Sequence, residues 1–104
     1  MRTAKVFANN IEAGILVELE FEKKYRFAYL SNYSGAPVSL TLPLDQKVYE
    51  FDSFPSFFDG LLPEGYQLEG LLKIGKVDRN DFFGQLLAVG DDLVGNITVK
   101  EIRE

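Results

Sequence analysis

Val17-Glu18-Leu19-Glu20-Phe21 and, shortly after, Tyr25-Arg26-Phe27-Ala28-Tyr29 place an apolar side chain at every second position. A chain that alternates in this way reads as a half-buried strand, because successive strand residues point to opposite faces of a sheet. The pattern reaches back to the start of the chain. Lys5-Val6-Phe7-Ala8 runs into Asn9-Asn10, and Ala13 to Phe21 returns, which predicts a half-buried strand pair joined near Asn9 and Asn10. Lys23-Lys24 supplies a polar turn, and a third strand carries Tyr25, Phe27 and Tyr29 on one face. Ser31 to Pro37 is the longest polar, turn-rich stretch, and Val38-Ser39-Leu40-Thr41-Leu42 then alternates again before Pro43, which predicts a fourth strand.

From Asp52 the period changes. Ser53 is placed to cap a short helix through Phe57, Phe58 and Leu61, with Pro55 in its first turn, and Pro63 and Gly65 stop it. Leu68, Leu71 and Leu72 fall at helical spacing, with Ile74 extending the set and Gly75 in the position of a C-terminal cap. A third helix carries Phe82, Phe83, Leu86, Leu87 and Val89, capped by Asp78 or Asn80 and stopped at Gly90. Asp91-Asp92 makes a turn, and Val94 to Val99 returns as a strand. The expected class is therefore α+β: a small antiparallel sheet of about five strands with three short helices packed on one side, in the order β-β-β-β-α-α-α-β. Residues 1–104 read as a single domain, without an internal repeat or linker.

Composition narrows the chemistry. The chain has no Cys and no His, which removes disulfides, thiolate and imidazole ligands, and Ser-His or Cys-His catalysis. Lys and Arg number 11 against 16 Asp and Glu, a formal charge of −5, so nucleic acid and anionic membranes are poor partners and a basic protein surface is a better one. The opening MRTAKVFANN lacks the apolar core of a secretory signal, and no stretch approaches the ~20 apolar residues of a membrane helix, which predicts a cytoplasmic protein.

Few residues stand out as a site. Gly70 to Val77 is close to the phosphate-loop pattern G-x-x-x-x-G-K-[ST], but Val77 replaces the magnesium-binding hydroxyl and the segment reads as the end of a helix. Asp91-Asp92, Asp78 and Asp81 fit turns and caps better than a cation cage. Neither a cofactor nor a metal is expected. Most of the nine Phe sit in apolar patterns, whereas Tyr66 follows the break Pro63-Glu64-Gly65, ahead of the apolar stripe of its own helix. An exposed Tyr there makes a good interface anchor, offering large area with little rotamer entropy to lose; the competing reading packs it on Leu61 or Leu62. Phe57, Asp59, Leu62, Pro63, Glu64, Gly65, Tyr66 and Gln67 are the candidate partner-binding residues.

Three segments in series carry a family likeness: PVSLTLPL (Pro37 to Leu44), FFDGLLPEG (Phe57 to Gly65) and DFFGQLLAVGDDLVGNITV (Asp81 to Val99), with KVFANNIEAGILVE in the place of a first hairpin. Together they resemble the N-terminal subdomain of HipA-like toxin kinases over nearly the whole chain. In that family the subdomain precedes the kinase proper, with its phosphate loop and its catalytic and metal-binding Asp residues. No position up to Glu104 matches them, so no catalytic residue is carried over and no enzyme is expected. A stand-alone copy is similar to HipS, the small antitoxin of three-gene systems. The resemblance then implies a protein that binds and neutralises a HipA-like kinase toxin (HipT-type) in trans, beside a HipB-like DNA-binding protein. The alternative is a non-inhibitory structural piece of a split or truncated HipA-like kinase. A small carboxylate enzyme is the third reading, and no pair of carboxylates is singled out for it.

Overall fold

The computed structural model describes residues 1–91, 93 and 95–102. The elements follow the expected order: β1 (Thr3–Ala8), β2 (Ile11–Glu20), β3 (Lys24–Tyr29), β4 (Val48–Phe51), α1 (Ser56–Asp59), α2 (Gly65–Gly75), α3 (Phe82–Ala88) and β5 (Ile97–Glu101). The strands form one antiparallel sheet ordered β4-β3-β2-β1-β5. Asn9 and Asn10 close the first hairpin with φ of 53° and 66°. A two-residue hairpin whose twist matches its strands needs positive φ at both positions, and Asn tolerates that region better than most residues.

One face of the sheet carries the core. Leu16 and Phe27 on the strands, Phe58 on α1, and Phe83 and Leu86 on α3 are fully buried. The Phe58 ring lies 5.9 Å from Phe27, and Phe83 stacks on Tyr25 at 6.3 Å. Thus α1 and α3 each seat one Phe on β3.

Where β1, β2 and α3 meet, charge is buried too. Arg2 grips Glu18 with two donors, Nε at 2.8 Å and Nη2 at 2.7 Å, and reaches Asp81 with Nη1 at 2.9 Å. Glu18 is only 3% exposed. Its guanidinium partner lies between the rings of Phe21 and Phe83, 5.1 and 5.2 Å from their centres. Asp81 also accepts the Gly84 N–H at 3.1 Å and so caps α3. Burial alone would push the Asp81 carboxyl up, but the hydrogen bonds from Arg2 and Gly84 and the Arg2 charge together hold it below the usual range. The Glu18 hydrogen bond, the largest influence on Arg2, raises its already high basicity.

Several boundaries differ from the sequence reading. Val38 to Leu42 is no strand; the fourth strand is Val48–Phe51, paired with β3. The Tyr29 hydroxyl is the reason. It accepts the Val38 N–H at 3.0 Å and donates to the Leu42 carbonyl, while the Leu42 N–H bonds the Ser39 carbonyl at 3.0 Å, so this backbone is satisfied as a pinned turn. Val38 and Leu42 go inward and Leu40 is thrown outward, 97% exposed. Ser53 does not cap α1, whose N-cap is Pro55 with no side-chain hydrogen bond. Gly75 is the last residue of α2 and Lys76 takes the left-handed cap at φ 54°, while Asp81, neither Asp78 nor Asn80, caps α3. Gly90 is needed for closeness instead of for a left-handed stop: a Cβ there would stand 1.9 Å from the Val99 carbonyl oxygen. The expected start of the last strand at Val94, and Asp92 of the Asp91-Asp92 turn, lie outside the described residues.

Candidate partner-binding surface

Leu62, Pro63 and Glu64 link α1 to α2 at the edge of the helical layer. Glu64 is extended (φ −130°, ψ 164°) and forms the N-cap of α2, but its side chain makes no capping bond. Gly65 follows at φ +59°, a value that costs an L side chain strain, and nothing lies near the space its Cβ would fill. This reversal points Tyr66 away from the body. Its side chain is 97% exposed, so it does not pack on Leu61 or Leu62.

The helix that follows is thinly seated. Leu68, Leu71 and Leu72 are half-buried, α2 has no fully buried residue, and Ile74 points to solvent. The expected apolar stripe exists, yet what covers it is chiefly α3. An exposed Arg79–Glu69 ion pair at 2.6 Å ties the helix to the segment before α3, a contact worth little in high dielectric.

The linker residues Leu62, Pro63 and Glu64 form a ridge between two hollows. On one side a hollow of about 570 Å³ is lined by Leu61, Gln67, Leu71 and Leu93 together with the ridge. On the other, about 310 Å³ lies between the ridge, Asp59, Leu68 and Phe82. The candidates therefore separate by role. Phe57 is half-buried, its ring 5.1 Å from Phe58, and it is as much a core residue as a surface one. Leu62 and Pro63 are half-buried ridge residues, and Asp59, Glu64, Gly65, Tyr66 and Gln67 are exposed around them. Among the described residues neither Asp59 nor Glu64 has a cation within salt-bridge distance.

These groups offer apolar area, one phenol, one amide and two unpaired carboxylates. Among the described residues no three His, Cys, Asp or Glu side chains gather as metal ligands, and no buried side-chain nitrogen or oxygen lacks a partner. Among them also, no helix is long and apolar enough to cross a membrane. The exposure of Leu40 was not expected from the sequence, because alternation assigned it to a strand.

Comparison with known proteins agrees with this architecture. An uncharacterized protein of Haemophilus influenzae is 29% identical over 104 residues, a match that takes in 100% of this chain and 96% of the relative. A solved structure described as the N-terminal domain of HipA toxin superposes with a TM-score of 0.80 at 28% identity, covering 100% of this chain and 95% of that one. The family model for the HipA N-terminal domain matches residues 4–100. The chain belongs to the HipA N-terminal domain family.

Proposed function

We propose that this protein is a HipS-type antitoxin: it binds a HipA-like Ser/Thr kinase toxin (HipT-type) in trans and neutralises it, catalysing no reaction itself. The observation that carries the reading is Tyr66, an aromatic side chain held almost fully in solvent by the Gly65 reversal, in a domain of the HipA N-terminal family. A large side chain left exposed beside apolar hollows gains most from being covered by a partner. The Haemophilus relative, matched over 96% of its length, supports a setting in which this domain is a protein of its own. Tyr66 and Glu64 form the tip that meets the kinase, which holds it in a non-productive state. The complex is cytoplasmic, and a HipB-like DNA-binding protein joins it.

The solved relative is described as a domain of a toxin, which favours a second reading: a structural subdomain that completes a kinase without inhibiting it. Co-expression with a HipA-like kinase lacking its own N-terminal domain separates the two. Rescue of growth with co-purification is the expected result. A complex without rescue selects the structural reading, and the absence of any complex overturns both. Tyr66→Ala is expected to lose neutralisation; if it binds and rescues as well as the wild type, the tip has been placed wrongly.

A further inference from the structure

We infer that the partner-binding surface has a second anchor, Leu40, and that the two adjoining hollows between it and Tyr66 receive an apolar, Lys/Arg-flanked segment of the kinase. The inference rests on the proposed function and adds a residue from a different part of the chain.

Leu40 is 97% exposed, as much as Tyr66. A lone exposed Leu is ordinary, but this one is held rigidly. Its neighbours are fixed on both sides: Val38 and Leu42 are buried, the Tyr29 hydroxyl bonds the backbone of both, and the Ser39 and Thr41 hydroxyls meet at 2.8 Å. The turn therefore has little freedom left to lose when a partner covers Leu40. Ser39 and Thr41, either side of Leu40, line a hollow of about 420 Å³ with Phe57, Gly60 and Leu61. Gly60 and Leu61 also line the larger hollow, whose wall continues to Glu64 and Gln67, either side of Gly65-Tyr66. The two hollows thus adjoin at Gly60 and Leu61, with Leu40 flanked by residues of one and Tyr66 next to residues of the other.

Charge selects the occupant. Among the described residues no Lys or Arg lines either hollow. Glu64 stands on the wall of the larger one and Asp59 is next to Gly60, which borders both; these exposed carboxylates have no cationic partner among the described residues. In a chain of net charge −5, hollows that combine Phe57, Leu61, Leu62 and Leu71 with free carboxylates at the edge suit a segment whose apolar side chains are flanked by cations.

Binding of purified Leu40→Ser, Tyr66→Ala and Asp59→Lys variants to a HipA-like kinase lacking its own N-terminal domain tests this. Leu40→Ser should weaken the complex roughly tenfold or more, chiefly through faster dissociation, at an unchanged melting temperature. Asp59→Lys should slow association and reduce its salt dependence. If the wild type binds and Leu40→Ser binds within twofold of it, the second anchor is wrong while the proposed function stands. If Asp59→Lys associates faster, the basic occupant is wrong. A wild-type chain that dimerises through Leu40, losing the dimer but not the kinase in Leu40→Ser, would assign the surface to a second copy and overturn the inference. No binding by the wild type removes the proposed function and this inference together.

Discussion

The Arg2 corner and the α1–α2 tip are built from the same materials, carboxylates beside aromatic rings, and use them in opposite ways. At the corner each charge is met: Arg2 holds Glu18 with two hydrogen bonds, touches Asp81, and lies between Phe21 and Phe83. At the tip Asp59 and Glu64 face water, and Tyr66 touches little of its own chain. Polar groups satisfied within the chain hold a fold together, because leaving one of them buried and alone is costly. Groups left unsatisfied at the surface cost nothing in water and remain available to a partner. The first region should respond to mutation through stability and the second through binding.

Arg2→Ala should show the largest effect. It leaves Glu18 buried without its cation, which by analogy with other half-broken buried pairs costs about 3–5 kcal/mol; urea denaturation measures it, and a loss below about 1 kcal/mol would erase the contrast between the regions. Acid should act on the same corner. Because the folded Asp81 carboxyl lies below its ordinary value, its contribution is fully present above the normal carboxylate range and is lost as pH falls through the folded value. Asp81→Asn should therefore unfold with a flatter acid limb than wild type, because Asn keeps an oxygen for the Gly84 N–H but loses the carboxylate charge that faces Arg2. A smaller change tests the loose side: Lys76→Gly removes a side chain from a left-handed position and should stabilise by about 0.5–1 kcal/mol, raising hydrogen-exchange protection in α2. Smallest of all, Tyr66→Ala should shift stability by no more than about 0.5 kcal/mol while its kinase binding falls. A large drop in melting temperature for that variant would show that the tip belongs to the fold after all.

The sheet was legible in part. On β2 the alternation of Val17, Leu19 and Phe21 marks a strand but the wrong face, because Leu16 and Glu18 are the buried residues, Glu18 held there by Arg2. Val17 and Leu19 are half-buried and Phe21 is 66% exposed. Tyr25, Phe27 and Tyr29 alternate because one face of β3 is core, and all three are buried. Val38, Leu40 and Leu42 alternate equally well and mislead, since a hydroxyl nine residues away takes the backbone bonds that a neighbouring strand would have taken. Sequence periodicity cannot see that partner. Val48-Tyr49-Glu50-Phe51 had β-favouring residues but is short and follows a polar stretch, so its signal was weak. The Arg2–Glu18–Asp81 cluster was invisible because its members come from three distant segments, Arg2 and Asp81 being 79 positions apart. The position of Tyr66 after a Pro-Glu-Gly break was legible, because Gly65 at a helix start is a local feature; that Tyr66 faces out was not, because it depends on the positive φ of Gly65 and on the thin packing of α2.

Gly90 has a wider role than the contact at which it was found. The outward N–H of Val99 bonds the Gly90 carbonyl at 3.0 Å, so Gly90 lies against the outer edge of β5. At the opposite margin β4 has only four residues. An uncovered strand edge is a template on which another chain can add itself, and this sheet offers little such template at either end. Recognition by side chains suits such a sheet better than strand addition. Gly90 is the stopper of that arrangement: a methyl group there would lever its backbone away from β5, and the damage would appear as self-association of the chain through its opened margin.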